Sequence, residues 1–188
     1  MKGGWIVLAV VVVAIIVIGG SLASTRNRLV AEQNEIQGRW AQVDNDMKRR
    51  ADLIPNLVET VKGYAKQEQT VFGEIASARS ALLNAQGKQQ EIGANDQLSG
   101  ALGRLLALTE NYPTLKSNEN FLRLQDELER TENRIAVSRR DYNESVRKYN
   151  TDVELFPTNM TAALFGFHRD NDYFKATAQE RQTPQVKF

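Results

Sequence analysis

Hydrophobic positions follow two different patterns along this chain: one continuous block near the N-terminus, and periodic stripes after it. The block is Trp5–Leu22, inside a run without charge from Gly3 to Thr25. A helix of about 18–20 apolar residues spans roughly 30 Å, the thickness of the hydrocarbon layer. The pattern therefore predicts a membrane anchor with Trp5 at the interface. Its expected lipid-facing residues are Trp5, Ile6, Val7, Leu8, Val13, Ile16, Ile18 and Leu22.

A cleaved signal peptide is the alternative for this block. Lys2 supplies a basic start, and Ser21-Leu22-Ala23 resembles a cleavage site with small residues. The apolar run is long for the core of a signal peptide, so we expect the segment to be retained as an anchor. A buried core helix fits less well, because no other stretch of the chain is apolar enough to surround it.

Helical periodicity replaces the continuous block after Ser24. Residues 25–54 are expected to form one helix, because Ile36, Trp40, Val43 and Met47 recur at a spacing of four and three. Pro55 predicts a boundary or a kink, since proline lacks an amide donor. A second helix is expected to follow it to about Ala85, with Gly63 tolerated inside.

Two further helices are predicted in the second half. Residues 87–95 are expected to form a loop, and Asp96 to cap a third helix that ends near Glu110. Ser117 or Asn118 is expected to cap a fourth and longest helix, which stops at Leu155-Phe156-Pro157. Its coiled-coil-like stripe contains one stutter and consists of Phe121, Leu124, Leu128, Thr131, Ile135, Ser138, Tyr142, Val146, Tyr149 and Val153.

The pattern changes again after Pro157. Met160–Phe167 is a short apolar stretch, followed by Tyr173 and Phe174, and the chain ends in TPQVKF. We expect a short helix packed against the end of a bundle. The alternative is a contact for another subunit or for the membrane surface, because exposed aromatic clusters often mark such sites.

The predicted fold class is all-α: an N-terminal transmembrane helix followed by an elongated antiparallel bundle of long helices. The predicted division places the membrane anchor in residues 1–24, the long-helix bundle in residues 25–156, and a short helix with a tail of the same domain in residues 157–188.

The composition of the chain excludes several classes of function. The net charge is +1, with 25% of residues charged, which argues against a nucleic-acid-binding protein. The sequence contains no cysteine, so disulfides, thiolate metal sites and an acylated lipobox cysteine are excluded. Lys2 on one flank of the anchor and Arg26 and Arg28 on the other nearly balance, so positive charge does not choose an orientation.

The long motifs of the second half resemble the LemA family of bacterial membrane-anchored helical proteins. They are RRADLIPNLVETVKGYA (Arg49–Ala65), ENYPTLKSNENFLRLQDELERTENRIAVSRRDYN (Glu110–Asn143), VRKYN (Val146–Asn150), Phe156-Pro157 and Gly166-Phe167. The resemblance implies an antiparallel helical domain behind an N-terminal anchor, and no biochemical activity. Some members carry a lipobox cysteine that would place the domain on the exported side of the bacterial inner membrane. This chain lacks that cysteine, and we expect the same side.

A search for catalytic residues finds little. His168 is the only histidine, and Asp170 and Asp172 beside it could in principle complete a metal site. A solvated turn is the favoured interpretation. No Walker loop, glycine-rich dinucleotide turn or Gly-x-Ser-x-Gly motif is present, so we predict no enzyme activity, no cofactor and no metal.

Charged residues around Pro55 form the other notable group. They are Arg49, Arg50, Asp52, Glu59 and Lys62, and the fourth helix offers Glu127, Glu129 and Glu132 among its acidic residues. Pairs such as Arg50 with Glu127 are expected to fix helix register. An anion or peptide site at the start of the second helix is the alternative. Tyr142 and Tyr149, seven residues apart, are expected to pack between helices or, alternatively, in a subunit interface.

These observations predict a membrane-tethered scaffolding protein that acts through helix-mediated contacts and self-assembles. Its expected partners are the lipid bilayer, further copies of itself and an unidentified envelope protein. The alternatives are a sensor or adaptor that binds a partner protein or peptide, and an enzyme that uses His168.

Overall fold

A computed structural model describes residues 2–175 of the chain and contains helices and no strand within that range. The tail at 176–188, including TPQVKF, lies outside the described residues. The helices are α1 (Lys2–Lys62), α2 (Gln69–Leu83), α3 (Lys88–Thr109), α4 (Pro113–Lys116), α5 (Glu119–Glu154) and α6 (Thr158–Phe165). The predicted all-α class, with a long apolar N-terminal helix followed by further helices, is confirmed.

Helix α1 does not end at Pro55, where the sequence predicts a boundary or a kink; it continues to Lys62. Proline cannot donate to the carbonyl four residues earlier, which belongs to Ala51. The side chain of Arg79 on α2 supplies the missing donor, because its Nε donates to the Ala51 carbonyl oxygen over 2.7 Å. A side chain distant in sequence therefore completes the hydrogen bonding of α1.

The helix break instead lies at Gly63, which was expected to be tolerated. After Lys62, the amides of Tyr64 and Ala65 both donate to the Val61 carbonyl over 2.9 Å and close the helix. Glycine has low helix propensity. The predicted second helix is consequently divided between the end of α1 and α2.

Helix α3 begins at Lys88, so most of the predicted loop at residues 87–95 is helical. The actual connection is short and ends at Gly87, whose φ of 93° favours glycine. Asp96 is therefore inside α3 and not a cap, and it forms an ion pair with Arg139 at 2.7 Å.

Helix α5 agrees with its prediction. The Asn118 side chain accepts a hydrogen bond from the Phe121 amide over 3.0 Å, which confirms one of the two proposed caps. Of the ten stripe residues, Leu124 and Val153 are half-buried and the other eight are buried. The helix ends at Glu154, as predicted, and α6 corresponds to the short helix expected after Pro157.

The described chain forms two compact units. The first contains residues 2–39 and 142–171, and the second contains residues 40–141 and 172–175. The predicted division at residues 24 and 156 remains a prediction.

In the first unit, α1 is antiparallel to the end of α5. Gln33 Nε2 donates to the Tyr149 hydroxyl over 3.0 Å, and the Arg28 guanidinium lies 3.4 Å from the Asp152 carboxylate. Every residue from 4 to 21 is exposed, Leu22 is partly covered, and Leu29 is fully buried. Protein packing on α1 therefore begins where the apolar block ends.

In the second unit, α1, α2, α3 and α5 surround an apolar core. Its buried members include Met47, Ile54, Leu57, Phe72, Ile75, Leu98, Leu105, Leu115, Phe121 and Ile135. The segment after residue 171 packs on this unit. Phe174 stacks on Trp40 at 5.6 Å between ring centroids, and the Arg139 guanidinium lies 4.6 Å from the Phe174 ring.

Candidate functional site

Arg50 is the central polar residue of the second unit. It is only 1% exposed and lies on α1, facing α3 and α5. Its Nη1 donates to Ser99 Oγ over 3.0 Å and forms an ion pair with the Glu132 carboxylate. Its Nη2 donates to the Asn95 carbonyl oxygen over 3.2 Å and to the Asn95 side-chain oxygen. One planar guanidinium therefore connects three helices.

The charges of this cluster are unequally hydrated. Burial lowers the pKa of Arg50, and the nearby Glu132 carboxylate acts in the opposite direction. The Glu132 side chain is 50% exposed, so the carboxylate keeps part of its water while the guanidinium has lost nearly all of it. Removing water from the guanidinium opposes the attraction between the two charges, so the net stabilisation from this pair is smaller than the direct contact between them suggests.

The other charged residues predicted around Pro55 lie outside this cluster. Arg49 and Asp52 are exposed, and Glu59 pairs with Lys62 on the same helix at 2.9 Å. On α5, Glu127 is half-buried and Glu129 is exposed. The observed partner of Arg50 is Glu132, five residues further along α5 than Glu127, the example of a partner predicted from the sequence.

An apolar cavity of about 340 Å³ adjoins Arg50. Its walls include Leu102 and Gly103 of α3, and Leu128 and Glu129 of α5. The cavity places a buried cation next to an apolar surface, so its chemistry suits an apolar group with an electronegative end.

Sequence reasoning missed a second polar layer in this unit. Ser138 donates to the Asp46 carboxylate over 2.6 Å, and Gln42 donates to the same carboxylate over 3.2 Å. Ser138 interrupts the apolar stripe of α5, and that interruption was the available signal for a buried polar partner.

Tyr149 and Asn150 hold the segment that follows α6 in the first unit. The buried Tyr149 hydroxyl donates to the His168 carbonyl over 2.9 Å. Asn150 donates to the Asp170 carbonyl over 2.7 Å and accepts from the Asp170 amide over 2.8 Å. Burial raises the pKa of Tyr149. Tyr142 is also fully buried, so both tyrosines have structural contacts within this chain.

His168 contributes its backbone to this arrangement, and the residue as a whole is exposed. Within residues 2–175, no group of three or more histidine, cysteine, aspartate or glutamate side chains is arranged to hold a metal ion.

Glu32 is a buried acidic residue that the sequence analysis did not single out. It is 5% exposed, and its Oε2 has no hydrogen-bond partner. Lys148 Nζ lies 3.6 Å from its other oxygen. Burial, followed by a hydrogen bond and repulsion involving Asp152, raises the pKa of Glu32.

An exposed apolar face lies at the end of α5 and on α6. We call it the α6 face, and it consists of Leu155, Phe156, Met160, Leu164 and Phe165. The residues that α6 buries are Thr158, Thr161 and Ala162. Arg28 donates to Thr158 Oγ1 over 2.9 Å, and the Arg26 guanidinium lies 5.6 Å from the Phe165 ring. Helix α6 therefore lies beside the first residues of α1 after the apolar block.

Several buried polar side chains, Arg50 and Asp46 among them, make contacts between helices, and the large apolar side chains left uncovered in the first unit belong to α1 and the α6 face. The described chain has one helix long and apolar enough to cross a membrane, which indicates membrane anchoring by length and composition.

Comparison with known proteins finds relatives that align over most of this chain. The magnetosome protein MamQ 2 of Paramagnetospirillum magneticum is 27% identical over 194 residues, which cover 89% of this chain and 71% of the relative. The magnetosome protein MamQ of Magnetospirillum gryphiswaldense is 26% identical over 209 residues, covering 96% and 77%. The protein LemA of Metamycoplasma hominis is 28% identical over 138 residues, covering 73% and 63%.

A family model described as the LemA family matches residues 39–188, which is most of the chain. This match includes all the motifs on which the sequence resemblance was based. The chain therefore belongs to the LemA family.

Proposed function

We propose that this protein is a membrane-tethered scaffold that acts through contacts between helices and self-assembles. One observation carries the proposal: buried polar side chains such as Arg50 and Asp46 connect helices to each other, while α1 leaves a long apolar surface uncovered. A bilayer concentrates anchored copies in two dimensions, so weak contacts between them gain effective concentration.

The coiled-coil-like stripe of α5 is not the surface that we propose for self-assembly. The stripe of α5 is largely buried within its own chain, so it is not available to a second copy. Contacts between copies would instead use the exposed side of α1 and exposed apolar residues such as Leu122 and Val137.

Light scattering coupled to size exclusion in detergent tests self-assembly. We expect a protein mass that is a multiple of 21.1 kDa. A mixture of two differently tagged forms, extracted from one membrane, should co-purify. A strict monomer at high concentration, without co-purification of the tags, would contradict the scaffold proposal.

The proposed location is the bacterial inner membrane, with a single span and the helical units on the exported side. The sequence has no cysteine, so one cysteine can be introduced at an exposed position such as Asn34. A membrane-impermeant maleimide should label Asn34→Cys in intact spheroplasts. Labelling only after lysis would place the units in the cytoplasm.

The cavity beside Arg50 favours a second function, an adaptor that binds an apolar segment of a partner protein. Gly103 lines this cavity, and a Cβ atom added there meets no atom within 4 Å. Gly103→Leu should fill the space and abolish recovery of a partner that co-purifies with the unaltered protein. Gly93→Leu is the matched control, since Gly93 is also an exposed glycine of α3 but does not line the cavity.

Equal recovery of the partner by both leucine variants would reject this second function. The remaining alternative, an enzyme that uses His168, is tested by His168→Ala. Unchanged behaviour of that variant in every assay would remove it.

A further inference from the structure

Helix α6 has the reverse of the amphipathic arrangement expected of a helix in water. Its buried residues are two threonines and an alanine, whereas Met160 and Leu164 are 64% and 67% exposed. Phe156, just before the helix, is 78% exposed. A helix on a water-soluble protein normally buries its large apolar side chains. A contiguous set of exposed apolar side chains marks a surface that a membrane or another protein covers.

The position of α6 along α1 favours the lipid bilayer as the partner of this surface. Arg26 and Arg28, the α1 residues that contact α6, follow Leu22 by four and six residues. At a rise of about 1.5 Å per residue, they lie roughly 6–9 Å beyond the end of the apolar block. This distance is similar to the depth of the polar headgroup layer, roughly 5–8 Å on each side of the hydrocarbon.

We propose that the α6 face rests on the lipid bilayer, with Phe156, Met160 and Leu164 in the interfacial layer beside the anchor. The proposal rests on the membrane anchoring included in the proposed function. It assigns a second membrane contact to the chain, formed by a short helix lying on the bilayer in addition to the one that crosses it.

Charge around α6 fits a headgroup layer. Arg28 and Arg169 each have side chains that are 53% exposed, although each also pairs with a carboxylate. Arg26 lies over the Phe165 ring. Aromatic rings and arginines at the edge of an apolar span are typical of the interface, where the long arginine side chain reaches phosphate groups.

The fold also holds the α6 face in a fixed position. Gly166, at a φ of 74°, ends the helix, and the Phe167 amide donates back to the Ala162 carbonyl over 2.9 Å. Tyr149 and Asn150 then bind the backbone of residues 168 and 170. Helix α6 is thus attached at both ends to α5, so its apolar side is displayed by the fold and does not result from a loose segment.

The α6 face lies close to the membrane anchor, which favours the bilayer over a second copy of the chain as the partner of that face. The exposed apolar surface of α1 from Trp5 to Ile18 and the α6 face belong to the same unit. Along α1, the residues that contact α6, Arg26 and Arg28, follow Ile18 by eight and ten residues. A membrane that holds the first surface is therefore close to the second.

Depth measurements on the full chain in vesicles test the proposal. Single cysteines at Met160, Leu164, Val12 and Asn34 would each carry an environment-sensitive fluorophore, in vesicles of phosphatidylcholine and phosphatidylglycerol with spin-labelled lipids. All four positions are exposed, and the sequence has no other cysteine. An unchanged helical circular dichroism signal would verify folding of each variant.

We expect the probes at 160 and 164 to shift emission to the blue and to be quenched by spin labels near the headgroup. The probe at Val12 should be quenched by labels deep in the acyl chains, and the probe at Asn34 by neither. If 160 and 164 behave like Asn34 while Val12 reports lipid, the α6 proposal is overturned and the anchor stands. If Val12 also reports water, the anchoring itself fails, and the α6 proposal fails with it.

A second copy as the occupant would give a different result. The probes at 160 and 164 would then be shielded from water, insensitive to spin-labelled lipid, and dependent on the ratio of protein to lipid. That outcome would also overturn the proposal. Insensitivity to this ratio, together with quenching near the headgroup, supports it.

Discussion

At the scale of single residues, Arg50 shows how a charged side chain can order a helical core. The guanidinium is planar and carries five donors, and here four contacts reach α3 and α5 in fixed directions. A sliding movement of α3 would break three of these contacts together, and a movement of α5 would break the ion pair with Glu132. An apolar side chain of the same volume would pack equally well but would not oppose the movement.

Removing Arg50 should therefore destabilise the fold strongly. We expect Arg50→Ala to lower the free energy of unfolding by about 3 kcal/mol, because the polar atoms of Asn95 remain buried without their partner. Arg49→Ala, a change at the exposed neighbour, should stay within about 0.5 kcal/mol. Glu132→Gln should cost about 1 kcal/mol, since this side chain keeps half of its exposure to water.

Chemical denaturation in detergent, followed by circular dichroism, measures these differences. Equal effects of Arg50→Ala and Arg49→Ala would mean that the buried cluster does not hold the helices.

Glu32 gives a prediction about pH. Its pKa is raised above the ordinary value of 4.5, first by burial and then by Asp152. The folded chain therefore binds the proton more tightly than the unfolded chain does. The stabilising contribution is fully present below pH 4.5 and is lost as the pH rises through the higher pKa of the folded state.

We expect Glu32→Gln to remove this loss, so that stability falls less between pH 4.5 and neutrality than in the unaltered protein. Unfolding by denaturant across that pH range measures how steeply the free energy of unfolding changes with pH. Glu35→Gln, three residues along α1 and exposed, serves as the control. A slope unchanged by Glu32→Gln would show that Glu32 titrates alike in the folded and unfolded chains.

At the scale of the elements, the continuity of α1 depends on a contact with α2. Pro55 leaves the Ala51 carbonyl without its helical donor, and Arg79 replaces that donor. A proline inside a helix is thus tolerated because a neighbouring helix provides what the backbone lacks.

A double-mutant cycle tests this compensation. Arg79→Ala should destabilise the protein by about 1–2 kcal/mol, because it leaves a carbonyl without a partner. In a Pro55→Ala background the backbone amide of residue 55 can bond to Ala51, so the same change at Arg79 should cost much less. A coupling energy near zero in denaturant unfolding would contradict the compensation.

Two glycines should respond in opposite directions to alanine. Gly166 has a φ of 74°, so Gly166→Ala should destabilise the end of α6 by about 1–2 kcal/mol. Gly38 lies in α1 with no atom near its missing side chain, so Gly38→Ala should stabilise by about 0.5–1 kcal/mol. Hydrogen exchange at the Phe167 amide and global unfolding measure the two effects. Equal signs would reject the conformational argument.

The predictable part of the fold was the part encoded in local pattern. The stripe of α5, its Asn118 cap and its end before Phe156 follow from spacing and capping chemistry. Arg79 bonding to Ala51 could not be predicted, because it depends on how two helices meet. The partner of Arg50 was missed for a related reason. Glu127 and Glu132 differ by five residues, which is a rotation of about 140° around the helix, so they face different neighbours.

At the scale of the whole molecule, the uncovered surface of α1 is what links the chain to a membrane. From Trp5 to Ile18 its large apolar side chains are all exposed, and its most apolar window has a mean hydropathy of 3.0. Water does not support such a surface on a folded protein.

Membrane extraction gives the corresponding prediction. The unaltered protein should remain in the pellet after an alkaline carbonate wash and dissolve only with detergent. Val12→Lys combined with Ile16→Lys places two charges at the centre of the block, at a cost of about 3 kcal/mol each, and should shift the protein to the soluble fraction. Asn27→Lys with Asn34→Lys adds the same charge beyond the block and should leave it in the pellet. Identical fractionation of both double variants would reject the anchor.

Helix α1 is continuous from the apolar block to residue 39, so a single helix connects the membrane span to the first unit. A change in the tilt of the membrane span is therefore expected to tilt the segment of α1 that carries Arg28 and Gln33 as well. Because the tilt of a span depends on the thickness of the bilayer, the orientation of the first unit should depend on that thickness too.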